Sequence, residues 1–211
     1  MSLPAKGLLI VFQGIDGTGK STQLRLLAEE LRKRGFPVLT TREPTNGPFG
    51  QKIRKLYLDR DTCTPAEELD LFLEDRRQHV REVLNPALAE GQVILCDRYF
   101  LSTAAYQGAN GFDVGEIIEK NRFAPQPDLA LLFQAPPDVG ISRITRDRGD
   151  ILNDFEKAEN LARVSEIFNT LDHPSIRKIN ATRSISTIQN EILSMVLSLL
   201  SPSGSTIPEP L

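Results

Sequence analysis

The stretch FQGIDGTGKSTQ, residues Phe12 to Gln23, constrains this chain more tightly than any other. It sets three glycines and a lysine between a short apolar run and a helical pattern. Gly14-Ile15-Asp16-Gly17-Thr18-Gly19-Lys20-Ser21 fits G-x-x-x-x-G-K-[ST], a pattern that needs a strand before it and a helix after it. Glycines let the backbone take positive φ and turn its N–H groups into an anion-binding nest. The N-terminus of the following helix adds partial positive charge. Lys20 then reaches the β and γ phosphates of a nucleotide, and the Ser21 hydroxyl ligates Mg²⁺. The candidate phosphate-binding stretch is therefore Gly14, Ile15, Asp16, Gly17, Thr18, Gly19, Lys20, Ser21 and Thr22.

A loop of that kind belongs in an α/β chain, and the remaining sequence has the matching rhythm. Short apolar runs alternate with helical patterns, which predicts βαβ units and a parallel sheet. The candidate strands are Leu8–Gln13, Val38–Thr41, Val93–Cys96, Leu129–Phe133 and Arg177–Asn180. Leu24, Leu27, Ala28 and Leu31 recur at i, i+3, i+4 and i+7 and mark an amphipathic helix that Gly35 ends. Thr64-Pro65-Ala66-Glu67 reads as a capping box with proline at the first helical position, heading a helix that runs to about Asn85, before Pro86. Ser186 and Gln189 suggest a second box, with Ile188, Ile192, Met195, Val196 and Leu199 inward. Arg143 to Asp154 is rich in Arg, Asp and Gly and reads as a mobile polar segment, a short lid. At 211 residues the chain suits a single domain over 1–200, and the Pro/Ser/Gly-rich stretch 201–211 reads as a disordered tail.

A second chemical feature is Val93-Ile94-Leu95-Cys96-Asp97-Arg98, a buried strand ending in a carboxylate. An aspartate there sits at the ligand crevice of an open α/β sheet, where it holds Mg²⁺ directly or through water. The glycine loop alone does not choose among nucleotide kinases, GTPases and ATPases. The guanine-reading N-K-x-D is absent, and the chain is short for an AAA-type motor. Cations for a second anion are present: Arg76, Arg77 and Arg81 on one helix, Arg98 after the aspartate, and Arg143, Arg146 and Arg148 in the polar segment. Transfer of a phosphoryl group to a phosphate acceptor needs such cations. Arg77 and Arg81 read as solvated helix residues, whereas Arg76 and Arg98 read as functional.

Composition narrows the partners. A net charge of −3 and a pI near 5.5 argue against a nucleic-acid footprint, which needs a basic face. Cys63 and Cys96 lie far apart with no His/Cys cluster, so a zinc site is not expected, and both read as reduced thiols. The run from Gly7 to Phe12 is too short for a signal-peptide core, and the apolar stretch around Met195–Leu200 is far below spanning length. A cytoplasmic protein without membrane or nucleic-acid partners is the expectation.

Together these pieces resemble the thymidylate kinase family, the bacterial dTMP kinases. The resemblance covers nearly all of residues 7 to 200 and rests on GIDGTGKST, TREP (Thr41–Pro44), FLEDRRQHV (Phe72–Val80), NPAL, CDRYFLSTAAYQG (Cys96–Gly108), NDFE (Asn153–Glu156) and INATRS (Ile179–Ser184). It implies the P-loop NTPase three-layer fold, a five-stranded parallel sheet with helices on both faces, usually as a homodimer. The implied reaction transfers the ATP γ-phosphate to dTMP, giving dTDP for dTTP biosynthesis, with Mg²⁺ as cofactor.

By the same resemblance Phe72 stacks on thymine, Arg76 bonds the base O4, and Thr103 and Gln107 line the base pocket. Tyr106 packs where a 2′-hydroxyl would sit, and Arg98 clamps the acceptor phosphate. Asp16 reaches the deoxyribose 3′-hydroxyl or the metal site. Some members carry an arginine inside the glycine loop; here Gly17 and Thr18 stand there, so the catalytic cation falls to Arg146 or Arg148, with Arg143 as helper. His79 reads as a packed helix residue, and Glu43-Pro44 as a fair place for a cis bond. After TREP the chain departs from the family's usual two glycines, continuing Thr45-Asn46-Gly47-Pro48-Phe49-Gly50. A related kinase with another acceptor, or a nucleotide-binding module without turnover, are the alternatives.

Overall fold

The computed structural model describes residues 7–57, 62–145 and 158–201. Along the chain run β1 (Leu8–Gln13), α1 (Lys20–Lys33), β2 (Val38–Arg42), α2 (Pro48–Leu56), α3 (Pro65–His79), α4 (Asn85–Ala89), β3 (Val93–Asp97) and α5 (Phe100–Ala109). Then come α6 (Val114–Lys120), β4 (Leu129–Gln134), α7 (Pro137–Arg143), α8 (Ala158–Thr170), β5 (Ile176–Asn180) and α9 (Ile185–Leu200). All five expected strands form, each within one residue of its expected bounds at either end. They make one parallel sheet in the order β2-β3-β1-β4-β5.

Successive side chains of a strand point to opposite faces, and a parallel sheet needs cover on both. Leu9 and Val11 of β1, Ile94 and Cys96 of β3, and Ala130 and Leu132 of β4 enter one apolar cluster, which α5 and α8 close. Ile10 and Phe12, Val93 and Leu95, and Leu131 and Phe133 enter the other, closed by α1 and α9. This is the expected α/β sandwich of helix, sheet and helix. Residues 146–154 of the expected lid and 202–211 of the expected tail lie outside the described residues.

Two local expectations are corrected. The helical run headed by the Thr64–Glu67 capping box does not stop before Pro86: Val80–Leu84 form a π turn, and α4 carries Pro86 in its first turn. Proline lacks an N–H and clashes with the preceding turn of a regular helix. The wider π turn shifts the hydrogen-bond register, and the Asn85 N–H bonds back to the Val80 carbonyl. The cap of α9 is Ser184, not Ser186: its hydroxyl accepts from the Thr187 N–H, and the Gln189 amide makes no box. The buried line is accordingly Ile188, Ile192, Val196 and Leu200 at strict i+4 spacing, while Leu199 is 42% exposed.

Candidate active site

Three strands end side by side. Phe12 of β1 and Arg42 of β2 both pair with Asp97 of β3. The Arg98 N–H bonds the Phe12 carbonyl at 2.9 Å, and the Glu43 N–H bonds the Asp97 carbonyl at 3.0 Å. The glycine loop, Asp97-Arg98 and Arg42-Glu43 therefore leave the sheet at one edge, the carboxyl end where open α/β sheets bind ligands.

The loop itself is built for an anion. Gly17 sits at φ +77°, and a Cβ there would lie 2.2 Å from the Gly140 carbonyl oxygen, so α7 packs directly on the loop. Gly14 is at φ +128°, with the Phe133 carbonyl oxygen 2.4 Å from any Cβ. Both positions demand glycine twice over, by backbone conformation and by space. Gly19 caps α1 in the left-handed conformation and has no side chain to satisfy the first turn, which leaves those N–H groups for a ligand. Buried Lys20 is drawn toward the loop, its Nζ donating to the Ile15 carbonyl at 2.7 Å. The Ser21 hydroxyl donates to Asp97 Oδ2 at 2.6 Å, and the buried Asp97 Oδ1 has no hydrogen-bond partner among the described residues. A hydroxyl against a carboxylate with an unused oxygen fits Mg²⁺, a hard cation that takes one or two protein oxygens and completes its shell with water and phosphate.

Beside the loop opens a cavity of about 550 Å³. Asp16, Lys20, Ser21, Thr22 and Asp97 line the end nearest the loop, and Phe72, Arg76, Ser102, Thr103 and Tyr106 line it as well. Between the two groups stands Arg98. Its Nη2 donates to Asp16 Oδ1 at 2.6 Å and to the Tyr106 hydroxyl at 3.3 Å, and its guanidinium lies 5.0 Å from the Tyr106 ring centroid. The Tyr106 hydroxyl in turn donates to Asp16 Oδ2 at 3.0 Å. Burial raises the Asp16 carboxyl, but Arg98 and Lys20 more than reverse this and hold it well below the usual aspartate range. Arg98 is the mirror case: burial disfavours its charge, and Asp16 holds its pKa well above the ordinary value. Arg98 also sits at φ +69°, which a side chain adopts only at a cost of about 1–2 kcal/mol. The surrounding bonds impose that conformation.

The far wall is a buried polar cluster. Arg76, 1% exposed, donates from Nε and Nη2 to Glu43 Oε2 at 2.9 and 2.6 Å. Nη2 also reaches Thr103 Oγ1 at 2.9 Å, and Nη1 reaches Asn121 Oδ1 at 2.6 Å. His79 packs behind: its Nδ1 lies 3.0 Å from Glu43 Oε1 and its Nε2 lies 2.8 Å from Thr41 Oγ1. Burial raises the Glu43 carboxyl, yet Arg76 and His79 hold it below the usual glutamate range. The Glu43-Pro44 bond is cis.

Most expected site residues come together here. Arg143 lines the cavity too, its guanidinium donating to the Ala181 carbonyl at 3.1 Å. Gly14, Ile15 and Thr18 lie behind the loop surface, Thr18 bonding the Ile15 carbonyl at 2.8 Å. Gln107 is not among the residues that line the cavity; it is fully buried, its amide bonded to Glu68 and Asn110. Arg146 and Arg148 lie outside the described residues. Six lining residues had no expected role, namely Arg42, Glu43, Pro44, Tyr57, Tyr99 and Ser102. Arg42 was legible as the last residue of a strand, like Asp97, but only once β2 is known to lie beside β3. Tyr57 ends α2, and nothing in the pattern IRKLY singles it out; burial pushes its phenol up to about 12, against the pull of Arg98.

The family model described as thymidylate kinase matches residues 12–192 of this chain. Among curated proteins, a thymidylate kinase of Desulfotalea psychrophila is 59% identical over 194 residues, spanning 92% of this chain and 96% of that one. A thymidylate kinase of Xylella fastidiosa is 44% identical over 194 residues, spanning 92% and 88%. One of Xanthomonas campestris is 42% identical over 200 residues, spanning 95% and 87%.

Proposed function

This chain belongs to the thymidylate kinase family, and on that premise we propose how its residues carry out the family's reaction. The enzyme transfers the γ-phosphate of ATP to dTMP with Mg²⁺ as cofactor. Lys20 and the N–H groups at the head of α1 hold the donor phosphates. Asp97 and Ser21 hold the Mg²⁺ ion, which supplies neutralisation of phosphate charge. Arg98, with Arg42 beside it, grips the acceptor phosphate, and Asp16 and Tyr106 keep the Arg98 fork aligned. Phe72 stacks on the base, and Arg76 donates to its O4.

An oxygen of the dTMP phosphate attacks the γ-phosphorus in line, the bond to the β-γ bridging oxygen breaks, and ADP departs. That attacking oxygen is already ionised at neutral pH, so no general base is needed, and positioning with charge stabilisation carries the rate. Arg143 and the lid arginines Arg146 and Arg148 supply the cations that follow the charge in flight. The homodimer and the cytoplasmic location implied by the resemblance belong to the same reading. No helix among the described residues is long and apolar enough to cross a membrane.

The observation that carries this reading is the single cavity that joins Lys20, Ser21 and Asp97 to Phe72, Arg76 and Thr103 through Arg98. A nucleotide-binding module without turnover would have no use for the second half. The test is ADP release with ATP and a panel of dTMP, dUMP, dCMP, dGMP and UMP. The missing methyl of dUMP should lower kcat/KM by about 10–200-fold. In dCMP an amine replaces O4 and opposes a fixed donor, so it should fail more completely. Comparable rates with dCMP or dGMP would overturn the acceptor assignment.

A further inference from the structure

We infer that Asn121 and Glu43 are positioning residues for base recognition, aiming the Arg76 guanidinium, Asn121 from outside the ligand's reach and Glu43 from the cavity wall. A guanidinium has five N–H donors. Among the described residues four Arg76 bonds are made: Nε and Nη2 to Glu43, Nη2 to Thr103, and Nη1 to Asn121. One N–H, on Nη1, remains for a ligand in the cavity that Arg76 lines. The partners hold the plane from three directions, and each is itself fixed. Glu43 Oε1 is held by His79 Nδ1 at 3.0 Å, and His79 Nε2 is held by Thr41 Oγ1 at 2.8 Å. The Asn121 amide donates to the Ile117 carbonyl at 2.7 Å at the end of α6, which fixes its oxygen toward Arg76. Asn121 is 1% exposed and does not line the cavity, so any effect it has on substrate passes through Arg76.

This rests on the acceptor reading above, and the unaltered enzyme separates the two. Preference for an acceptor other than dTMP there would sink that reading before any variant is made. Asn121→Ala should raise KM for dTMP about tenfold, roughly the value of one charged hydrogen bond. It should leave kcat and the KM for ATP near the unaltered values and shrink the dTMP:dCMP ratio of kcat/KM by a similar factor. Glu43→Gln should show the same signature. Adding Asn121→Asp to it returns a carboxylate to Arg76 from the other side and should restore most of the ratio. Variants that melt at lower temperature while KM for dTMP and the ratio stay unchanged would overturn the inference. If Asn121→Ala does not fold, the step from Glu43→Gln to the double variant decides: recovery of the ratio supports aiming, and no recovery refutes it.

Discussion

Replacing Arg98 tests the acceptor clamp and the backbone conformation that presents it. A guanidinium fork on a phosphate makes two charge-assisted hydrogen bonds, each worth about 1.5–3 kcal/mol. Arg98→Lys keeps a charge but loses the fork, so about one bond goes; at about 1.4 kcal/mol per tenfold, kcat/KM for dTMP should fall roughly 10–150-fold. Arg98→Ala and Arg98→Gly remove both and should fall by about 10²–10⁴. The KM for ATP should move little, because Lys20 and the loop are untouched. The two truncations then separate on stability. Each leaves Asp16 without its ion pair, so that loss cancels between them. Alanine keeps the left-handed penalty at φ +69°, about 1–2 kcal/mol, while glycine escapes it but loses about 0.4–1 kcal/mol through a freer unfolded chain. Glycine should therefore be the more stable by about 0.5–1 kcal/mol, or roughly 1–4 °C for a chain of this size. A coupled ADP-release assay and thermal melts of the three variants suffice. If Arg98→Lys stays within about threefold of the unaltered enzyme, the clamp is wrong; if alanine melts at or above glycine, the strained backbone is wrong.

Asp97→Asn removes the charge beside Ser21 Oγ and should raise the Mg²⁺ concentration needed for half-maximal activity at least about tenfold, measured by Mg²⁺ titration at fixed ATP. Arg146→Ala with Arg148→Ala should leave the KM values for ATP and dTMP nearly intact while kcat falls by about 10³–10⁵, and unchanged kcat would remove the lid from the mechanism. The buried Glu43 carboxyl has a folded-state pKa below its ordinary 4.5, so its stabilisation is complete above about pH 4.5 and drains away as pH falls through the lowered value. The stability gap between the unaltered enzyme and Glu43→Gln in urea unfolding should therefore narrow on acidification below that pH, and a widening gap would contradict the ion pair.

The sequence exposes local features and hides pairings. The glycine loop, the amphipathic α1 and the strand that ends in Asp97 were legible because period, capping and punctuation are local properties. Phe72, Thr103 and Tyr106 were named only through resemblance, since a phenylalanine or a tyrosine on a helix carries no local mark of what it faces; Arg76 was legible as a cation, and only its place against the base came through resemblance. Arg42 needed the strand order. Gln107 turns its amide to the Glu68 carboxylate, 39 residues away in sequence, a pairing no local pattern announces. The Arg76 cluster draws Glu43 from the end of β2, His79 from α3, Thr103 from α5 and Asn121 from beyond α6. No periodicity reports a meeting of that kind.

The two arginines of the pocket are held in different ways, and the difference matches what each would recognise. Arg76 is buried, with four of its donors committed, so its free N–H is fixed in direction. A neutral base is told from another by one hydrogen bond, and discrimination requires that the donor cannot swing away when the wrong group arrives. Arg98 is more open, its side chain 19% exposed, and its ion pair runs to Asp16, 25% exposed. A phosphate dianion brings enough charge to share or displace that partner, so the clamp can adjust along the reaction path without unmaking the fold. Rigid aim for the base and an exchangeable counter-ion for the phosphate let one small cavity combine selectivity with transfer.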